Sequence, residues 1–247
     1  MTDWRFIARK WVNCFRSKNS VQRKVEDGLI IQYLRQAKFP SPDEFNRIGQ
    51  ETFDVALSLK GDVAVDIGAH VGSYAMRLGK NFRWVYAFEP NPVPLELLLR
   101  NLAVNHIPNV QVEQAAISDR DGWRTLRIPS KFLPGTTISD KHYEWLPFDK
   151  TIQVRGYCLD NYFKGLDCRV DFVKIDVEGH ELAVLNGMKR LIRNTPSMVL
   201  SVEVHHAPDT LTSCDCEVCR WLRIAGLKTE LHGKYSSEMQ AHWIVAR

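Results

Sequence analysis

The sequence predicts an α/β fold, a mostly parallel sheet with helices on both faces. Three observations predict it. Short buried apolar runs alternate with helical stretches from residue 62 to residue 204, the first run breaks into a glycine-bearing loop, and several of the runs close on acidic residues. Strands alternating with helices imply right-handed crossovers and a sheet covered on both sides. At 247 residues, with 45% hydrophobic and 25% charged residues, the chain can bury one sizeable core.

Taken in order, residues 1–43 read as an N-terminal helical extension. Trp4, Ile7, Ala8, Trp11, Val12 and Phe15 recur at helical spacing, with Arg5, Arg9, Lys10 and Arg16 on the other face. Such a helix packs on a core, or lies on an anionic membrane surface. A second helix is expected over residues 26–36, ending at Phe39-Pro40-Ser41-Pro42. Residues 44–247 form the main domain, opened by a helix over 44–59. Its strands are expected near 62–66, 84–88, 110–116, 171–175 and 198–204, and its helices near 73–80, 93–104 and 180–193. The interval 120–170 interrupts this rhythm. Within it, residues 123–128 and 151–157 alternate as a hairpin or edge strands, flanking a long loop with Lys131, Phe132, Thr136, Thr137, His142, Tyr143 and Trp145. Long loops in compact domains tend to be functional, and this one reads as an acceptor lid. Residues 228–232 and 242–246 are the final strands.

The loop after the first strand reads Asp66-Ile67-Gly68-Ala69-His70-Val71-Gly72-Ser73. A turn of this kind faces a ligand across the carboxyl edge of a parallel sheet, and glycines permit close approach. The next strand ends in Glu89, followed by Pro90 and Asn91. A carboxylate there can accept both hydroxyls of an adenosine ribose. Dinucleotide loops carry a third glycine and seat a pyrophosphate, whereas Asp66 directs negative charge at the ligand. A cation is favoured. S-adenosylmethionine, with a sulfonium, an ammonium and a ribose, fits that pattern.

With the stretch Val173-Lys174-Ile175-Asp176-Val177-Glu178-Gly179-His180-Glu181 the set becomes recognisable. The chain resembles the FkbM-type family of S-adenosylmethionine-dependent methyltransferases on VDIGAHVGSY at 65–74, FEPNP at 88–92, AAISD at 115–119, VKIDVEGHE at 173–181 and SVEVH at 201–205. The resemblance implies a Rossmann-like class I methyltransferase fold whose last strand is inserted antiparallel, and a hydroxyl acceptor on a sugar or polyketide-like molecule. On that basis Asp66, Gly68, Ala69, Gly72 and Ser73 would frame the methionine portion, and Glu89, Pro90 and Asn91 the ribose. Ala116 and Ile117 would flank the adenine, with Asp119 meeting its amine and Asp176 also lining the cofactor site.

Methyl transfer to oxygen needs an aligned acceptor and one base. His205 is the expected base, since an unperturbed imidazole is available neutral near pH 7, and Glu203 or Glu178 would orient it. Asp176, Glu203 and His205 could instead hold a divalent cation. Cys214, Cys216 and Cys219 form C-x-C-x-x-C, to which His205 or His206 could add a fourth zinc ligand. One knuckle without an evident second reads more simply as half-buried thiols.

Other classes are weighed on composition. A net charge of +4 falls short of a nucleic-acid footprint, although Arg120, Arg124, Arg127, Lys131 and Arg155 could supply part of a track for a nucleic-acid methyltransferase. A non-catalytic S-adenosylmethionine-binding partner protein is the other alternative. No run of about 18 apolar residues is present. Arg5, Arg9 and Lys10 interrupt any signal-peptide core, and six cysteines without an export signal read as reduced thiols, so a cytoplasmic location is expected.

Overall fold

The computed structural model describes residues 21–34, 54–129, 135–139, 148–205, 216–236 and 241–247. Its centre is a seven-stranded sheet. In chain order the strands are β3 (Gly61–Ile67), β4 (Phe82–Phe88), β5 (Val110–Glu113), β9 (Val170–Ile175), β10 (Val199–His205), β11 (Thr229–Ser236) and β12 (Ala241–Ala246). They lie in the order β11-β12-β10-β9-β3-β4-β5. All neighbours from β10 to β5 are parallel, and β12 is antiparallel to both β10 and β11. The sheet order reverses from β3, so β3 runs through the middle with β4 on one side and β9 on the other. The carboxyl ends of β3, β4 and β9 therefore meet at a switch point, where open α/β sheets bind ligands.

Alternation along the strands builds two cores. Val63, Val65 and Ile67 of β3 face Val173 and Ile175, and are covered by Leu159 of α3 (Leu159–Tyr162), Val184 and Leu185 of α4 (Glu181–Asn186), Ile192 of α5 (Lys189–Asn194) and Leu222 of α6 (Glu217–Ile224). Ala64, Val85, Ala87 and Phe172 face the other side, under Ala75 and Met76 of α1 (Ser73–Leu78) and Leu95, Leu98 and Leu102 of α2 (Pro92–Val104). The period of two along a strand is what sends neighbours to opposite cores.

Three expectations are corrected. Residues 26–36 are not helical through their first part: β1 (Val21–Glu26) and β2 (Leu29–Leu34) form an antiparallel hairpin around Asp27 and Gly28. Both turn residues have positive φ, 51° and 73°, and Asp-Gly supplies that turn at low steric cost. The hairpin is held to α2 by two asparagines one turn apart. Asn101 accepts from Gln32 N (2.8 Å) and donates to Gln32 O, while Asn105 accepts from Ile30 N (2.7 Å) and donates to Ile30 O. The expected strand 110–116 divides at Gln114. Its first half, β5, edges the main sheet, and its second, β6 (Ala115–Ile117), pairs in parallel with β8 (Phe148–Tyr157) of a three-stranded sheet completed by β7 (Gly122–Pro129). The expected helix 180–193 is broken into α4 and α5 at Gly187, where a Cβ would collide with the carbonyl oxygen of Ser118. The Gly187 carbonyl instead accepts from Asp160 N.

The alternating segments around the long interval do pair, as β7 and β8. The final two strands form a hairpin with β12 inserted beside β10. Of the helix expected over 44–59, residues 54–58 are helical, Leu59 lies just past the helix, and residues 44–53 lie outside the described residues. The same holds for the helix at residues 4–15, for Cys14, Cys214 and His206, and for Lys131, Phe132, His142, Tyr143 and Trp145. Among the described residues no helix is long and apolar enough to cross a membrane, and Cys158, Cys168, Cys216 and Cys219 are not joined in disulfides.

Candidate active site

The loop after β3 is fastened to β4 by the N–H groups of Gly68 and Ala69, both donating to Phe88 O at 3.0 Å. Gly68 and Gly72 take φ of 76° and 89°. Their missing side chains make room for protein: a Cβ on Gly68 would strike the carbonyl oxygen of Asp176, and one on Gly72 the side chain of Leu98. The glycines thus let the loop nest between β9 and α2.

Glu89 sits where β4 ends, 6% exposed. One carboxylate oxygen accepts from His70 N (2.8 Å) and the other from Asn91 N (2.8 Å). Each oxygen keeps a second acceptor position, the arrangement that two vicinal hydroxyls require. Burial pushes the Glu89 carboxyl up to about 7, against the pull of those two backbone donors. Asn91 caps α2 by accepting from Val93 N, with Pro92 opening the helix, and donates to Thr136 Oγ1. Pro90 completes this corner.

Asp66 departs from expectation. It is wholly buried, and Lys174 Nζ lies 3.3 Å from its carboxylate. Its negative charge is therefore balanced within the protein. Lys174 also lies 3.2 Å from Asp176 and donates to Gly68 O at 2.9 Å. Burial raises the Asp66 carboxyl against the opposing pull of Lys174. Burial also works against the Lys174 ammonium, but Asp176 and Asp66 outweigh it and hold the group charged. Asp176 resists its own burial through Lys174 and His205, and stays below the usual carboxylate range. Its side chain is 28% exposed, so Asp176 carries the outward-facing charge that had been expected of Asp66.

Beside it lies a carboxylate nest around His205. Nδ1 is 2.9 Å from Glu181, and Nε2 is 3.4 Å from Glu178, 3.7 Å from Glu203 and 3.9 Å from Asp176. Two-residue spacing puts Lys174 of β9 and Asp176, the first residue past it, on one side, and Glu203 and His205 on one face of β10. Burial disfavours the imidazolium, yet Glu178, Glu181 and Glu203 outweigh it and hold His205 well above its ordinary value. The expectation of a neutral imidazole near pH 7 is thereby corrected, because several anions surround one ring. Glu203 is raised well above its usual value by burial and by Asp176.

Ala116 and Ile117 are buried in β6. Asp119 accepts from Ser118 Oγ and lies 3.6 Å from Arg124, while Ser118 Oγ is also 3.0 Å from His180 Nε2. Ser73 opens α1 directly after Gly72. In the described part of the long loop, Thr137 pairs with Arg127 and donates through Oγ1 to Glu178 O at 2.7 Å. Thr136 and Thr137 thus join the Glu89 corner to the Glu178 turn. Lys174 and Glu181 were not foreseen as site residues. The alternation of Lys174 with Asp176 was the signal available for the first, whereas Glu181 read as a helix start. The metal-competent grouping that forms is Asp176, Glu178 and His205, whose ligand atoms lie within 4.8 Å of one another, with Glu178 in the place expected of Glu203.

A family model described as a methyltransferase FkbM domain matches residues 66–229. The hexuronic acid methyltransferase AglP of Haloferax volcanii is 26% identical over 171 residues, covering 69% of this chain and 65% of AglP. The 31-O-demethyl-FK506 methyltransferase FkbM of Streptomyces tacrolimicus is 39% identical over 80 residues, 32% of this chain and 29% of that protein. The chain thus spans less than two thirds of either relative. Among solved structures, Trm5b of Pyrococcus abyssi superposes with a TM-score of 0.50 at 14% identity, covering 93% of this chain and 55% of that one, a likeness of fold alone. The matched family segment takes in the glycine loop, Glu89, Lys174 and the His205 nest, and extends over well more than half of the sequence. This chain belongs to the FkbM methyltransferase family.

Proposed function

We propose that the protein is an S-adenosylmethionine-dependent O-methyltransferase acting on a hydroxyl of a small molecule or glycan. The observation that carries this reading is Lys174, which bonds the glycine loop at Gly68 and pairs with Asp176 at the edge of the His205 nest. One buried cation thereby fixes a cofactor loop and a proton-holding cluster side by side. Glu89 fits the cofactor, because both of its oxygens retain an acceptor position after the backbone is satisfied. When bound, S-adenosylmethionine supplies an electrophilic methyl group on a sulfonium.

The residues divide the remaining tasks. Glu89 holds the ribose hydroxyls, with Pro90 and Asn91 shaping its corner. The loop of Gly68, Ala69, Gly72 and Ser73 bounds the methionine portion, and Asp66 acts at one remove, by setting the position of Lys174. Ala116, Ile117 and Asp119 bound the adenine. Asp176 faces the positive sulfonium and ammonium. His205, steadied by Glu181 and flanked by Glu178 and Glu203, takes the proton of the acceptor hydroxyl as its oxygen forms the new bond to carbon. Its raised ionisation makes it a strong base that is available in quantity only above neutral pH. Residues 135–139, bonded to the Glu89 corner through Thr136 and to the Glu178 turn through Thr137, belong to the acceptor lid.

The acceptor class draws support from relatives whose names specify a hexuronic acid and the 31-O position of FK506. A second reading rests on the grouping of Asp176, Glu178 and His205, which offers oxygen and nitrogen ligands to a divalent cation that would acidify the hydroxyl. Calorimetry with S-adenosylmethionine, followed by an acceptor screen of uronic-acid glycans, hydroxylated small molecules and RNA, tests the proposal. Binding with turnover on a hydroxylated glycan or small molecule is expected. Absence of cofactor binding, or turnover confined to RNA, overturns it, and turnover abolished by a chelator selects the metal reading.

A further inference from the structure

Among the described residues a second convergence of ligand atoms lies away from the His205 nest, between the start of α6 and the inserted strand β12. Cys216, Cys219 and His242 bring two sulfurs and an imidazole nitrogen within 4.8 Å of one another. Cys216 Sγ stands 3.8 Å from His242 Nε2. Cys219 is 1% and His242 2% exposed, and Cys216 is half-buried. Zinc bonds of about 2.3 Å to sulfur and about 2.0–2.1 Å to nitrogen, at a tetrahedral angle, space the two ligand atoms by about 3.6 Å. The observed separation is close to that. Cys216 also caps α6, its sulfur accepting from Cys219 N at 3.3 Å. A backbone donor and a helix N-terminus both favour the thiolate that a metal requires.

We propose that Cys216, Cys219 and His242 bind a zinc ion that fastens α6 to the C-terminal hairpin. Two thiolates and an imidazole form a soft nitrogen and sulfur set without carboxylate, which suits zinc and disfavours magnesium or calcium. The histidine is the one that sequence spacing did not indicate. His205, a candidate there, is held by Glu181 at the start of α4, whereas β12 folds back antiparallel so that His242 pairs with Val204. Cys219 lies in the same core as Val218 and Leu222, so the ion would join that core to the strand beside the His205-bearing one. Cys214 lies outside the described residues and is not counted in the set. The same C-x-x-C spacing at a helix start also occurs in dithiol redox pairs. Burial of Cys219 and the nearby imidazole favour the metal over thiol exchange.

The test is metal analysis of the full chain, produced with zinc in the medium and purified without chelator. About one zinc per chain is expected, falling below about a fifth of that in Cys219→Ser and in His242→Ala, and unchanged in Cys168→Ser. Because the first two variants could fail to fold, the wild type is examined as well. Blocking thiols with a mercurial should release the zinc stoichiometrically to a chromophoric chelator, and cobalt replacing the zinc should show thiolate charge transfer and tetrahedral ligand-field bands. A wild type free of zinc that takes up no cobalt overturns the proposal. So does zinc retained in both variants, or an isolated protein two hydrogens lighter with a Cys216–Cys219 disulfide.

Discussion

Raising the pH from 6 to 8 is expected to tighten S-adenosylmethionine binding about tenfold. The cause is Glu89, whose carboxyl burial pushes up to about 7. Both oxygens already accept a backbone N–H, from His70 and Asn91. Below pH 7 a proton occupies one of the two remaining acceptor positions, and one ribose hydroxyl loses its partner. With an ionisation at about 7, roughly a tenth of the carboxyls are charged at pH 6 and roughly nine-tenths at pH 8, a difference of about 1.4 kcal/mol in binding. The sign follows: acid weakens the complex, and binding at pH 7 releases about half a proton. Titration calorimetry across this range, in two buffers of different ionisation enthalpy, measures both the affinity and the proton. Glu89→Gln should bind about 1.5–3 kcal/mol more weakly and lose the slope. Its amide presents N–H to one of two backbone donors, so thermal unfolding of the variant must be measured alongside. A wild-type affinity that is flat from pH 6 to 8, or a slope that persists in Glu89→Gln, refutes the assignment of Glu89 to the ribose.

Other consequences can be checked separately. His205→Ala should lower turnover by about 10² to 10⁴ without weakening cofactor binding, and the wild-type rate should keep rising above pH 7, since Glu178, Glu181 and Glu203 hold the imidazole ionisation well above its usual value; near-normal turnover in the variant rejects His205 as base. Lys174→Met should destabilise the protein by about 3–5 kcal/mol in urea unfolding at neutral pH, because Asp66 is left buried without its cation, and the deficit should shrink on acidification as Asp66 takes up a proton. An unchanged midpoint would show that the pair is not what holds the loop. Asn101→Leu should cost about 1–3 kcal/mol and speed amide exchange in residues 21–34 ahead of the main sheet, since Gln32 loses both its donor and its acceptor partner; uniform exchange would place the hairpin's anchorage elsewhere.

The parts of this fold that were legible in sequence are those whose signal is local. The buried runs of β3, β4, β9 and β10, and the glycine loop after β3, follow from residue type and spacing. The hairpin of β1 and β2 was equally local, written in Asp27-Gly28. It was missed because the short apolar run Leu29–Leu34 cannot be told from a helical segment by periodicity alone. The remaining errors have a different origin. The need for glycine at the break, Gly187, is set by the Ser118 carbonyl, from a part of the chain far away in sequence. The division at Gln114 depends on β8 offering a partner to β6. Within the site, Glu203 and His205 share a face by strand period. The ring's shortest contact, to Glu181, exists only because α4 begins where it does.

The same distinction decides the electrostatics. Sequence reasoning assigned the attraction for a cationic cofactor to one residue, Asp66, because a strand-end carboxylate beside a glycine loop is visible in one dimension. In three dimensions that carboxylate is sealed and matched by Lys174. The attraction passes to a group: Asp176, Glu178, Glu181 and Glu203 surround His205, with Lys174 as the other cation against them. Even with Glu203 holding a proton, three carboxylates against one ammonium and one imidazolium leave the nest negative, within a chain whose formal net charge is +4. A positive ligand is drawn to such a nest whether or not Asp66 touches it. The excess also fixes the order of events. While His205 carries its proton the nest is at its least negative, so proton loss from His205 strengthens both the pull on a cation and the basicity available to the acceptor hydroxyl. Cofactor affinity should then show two ionisations, one at about 7 from Glu89 and a second at higher pH from the nest, the second absent in His205→Ala.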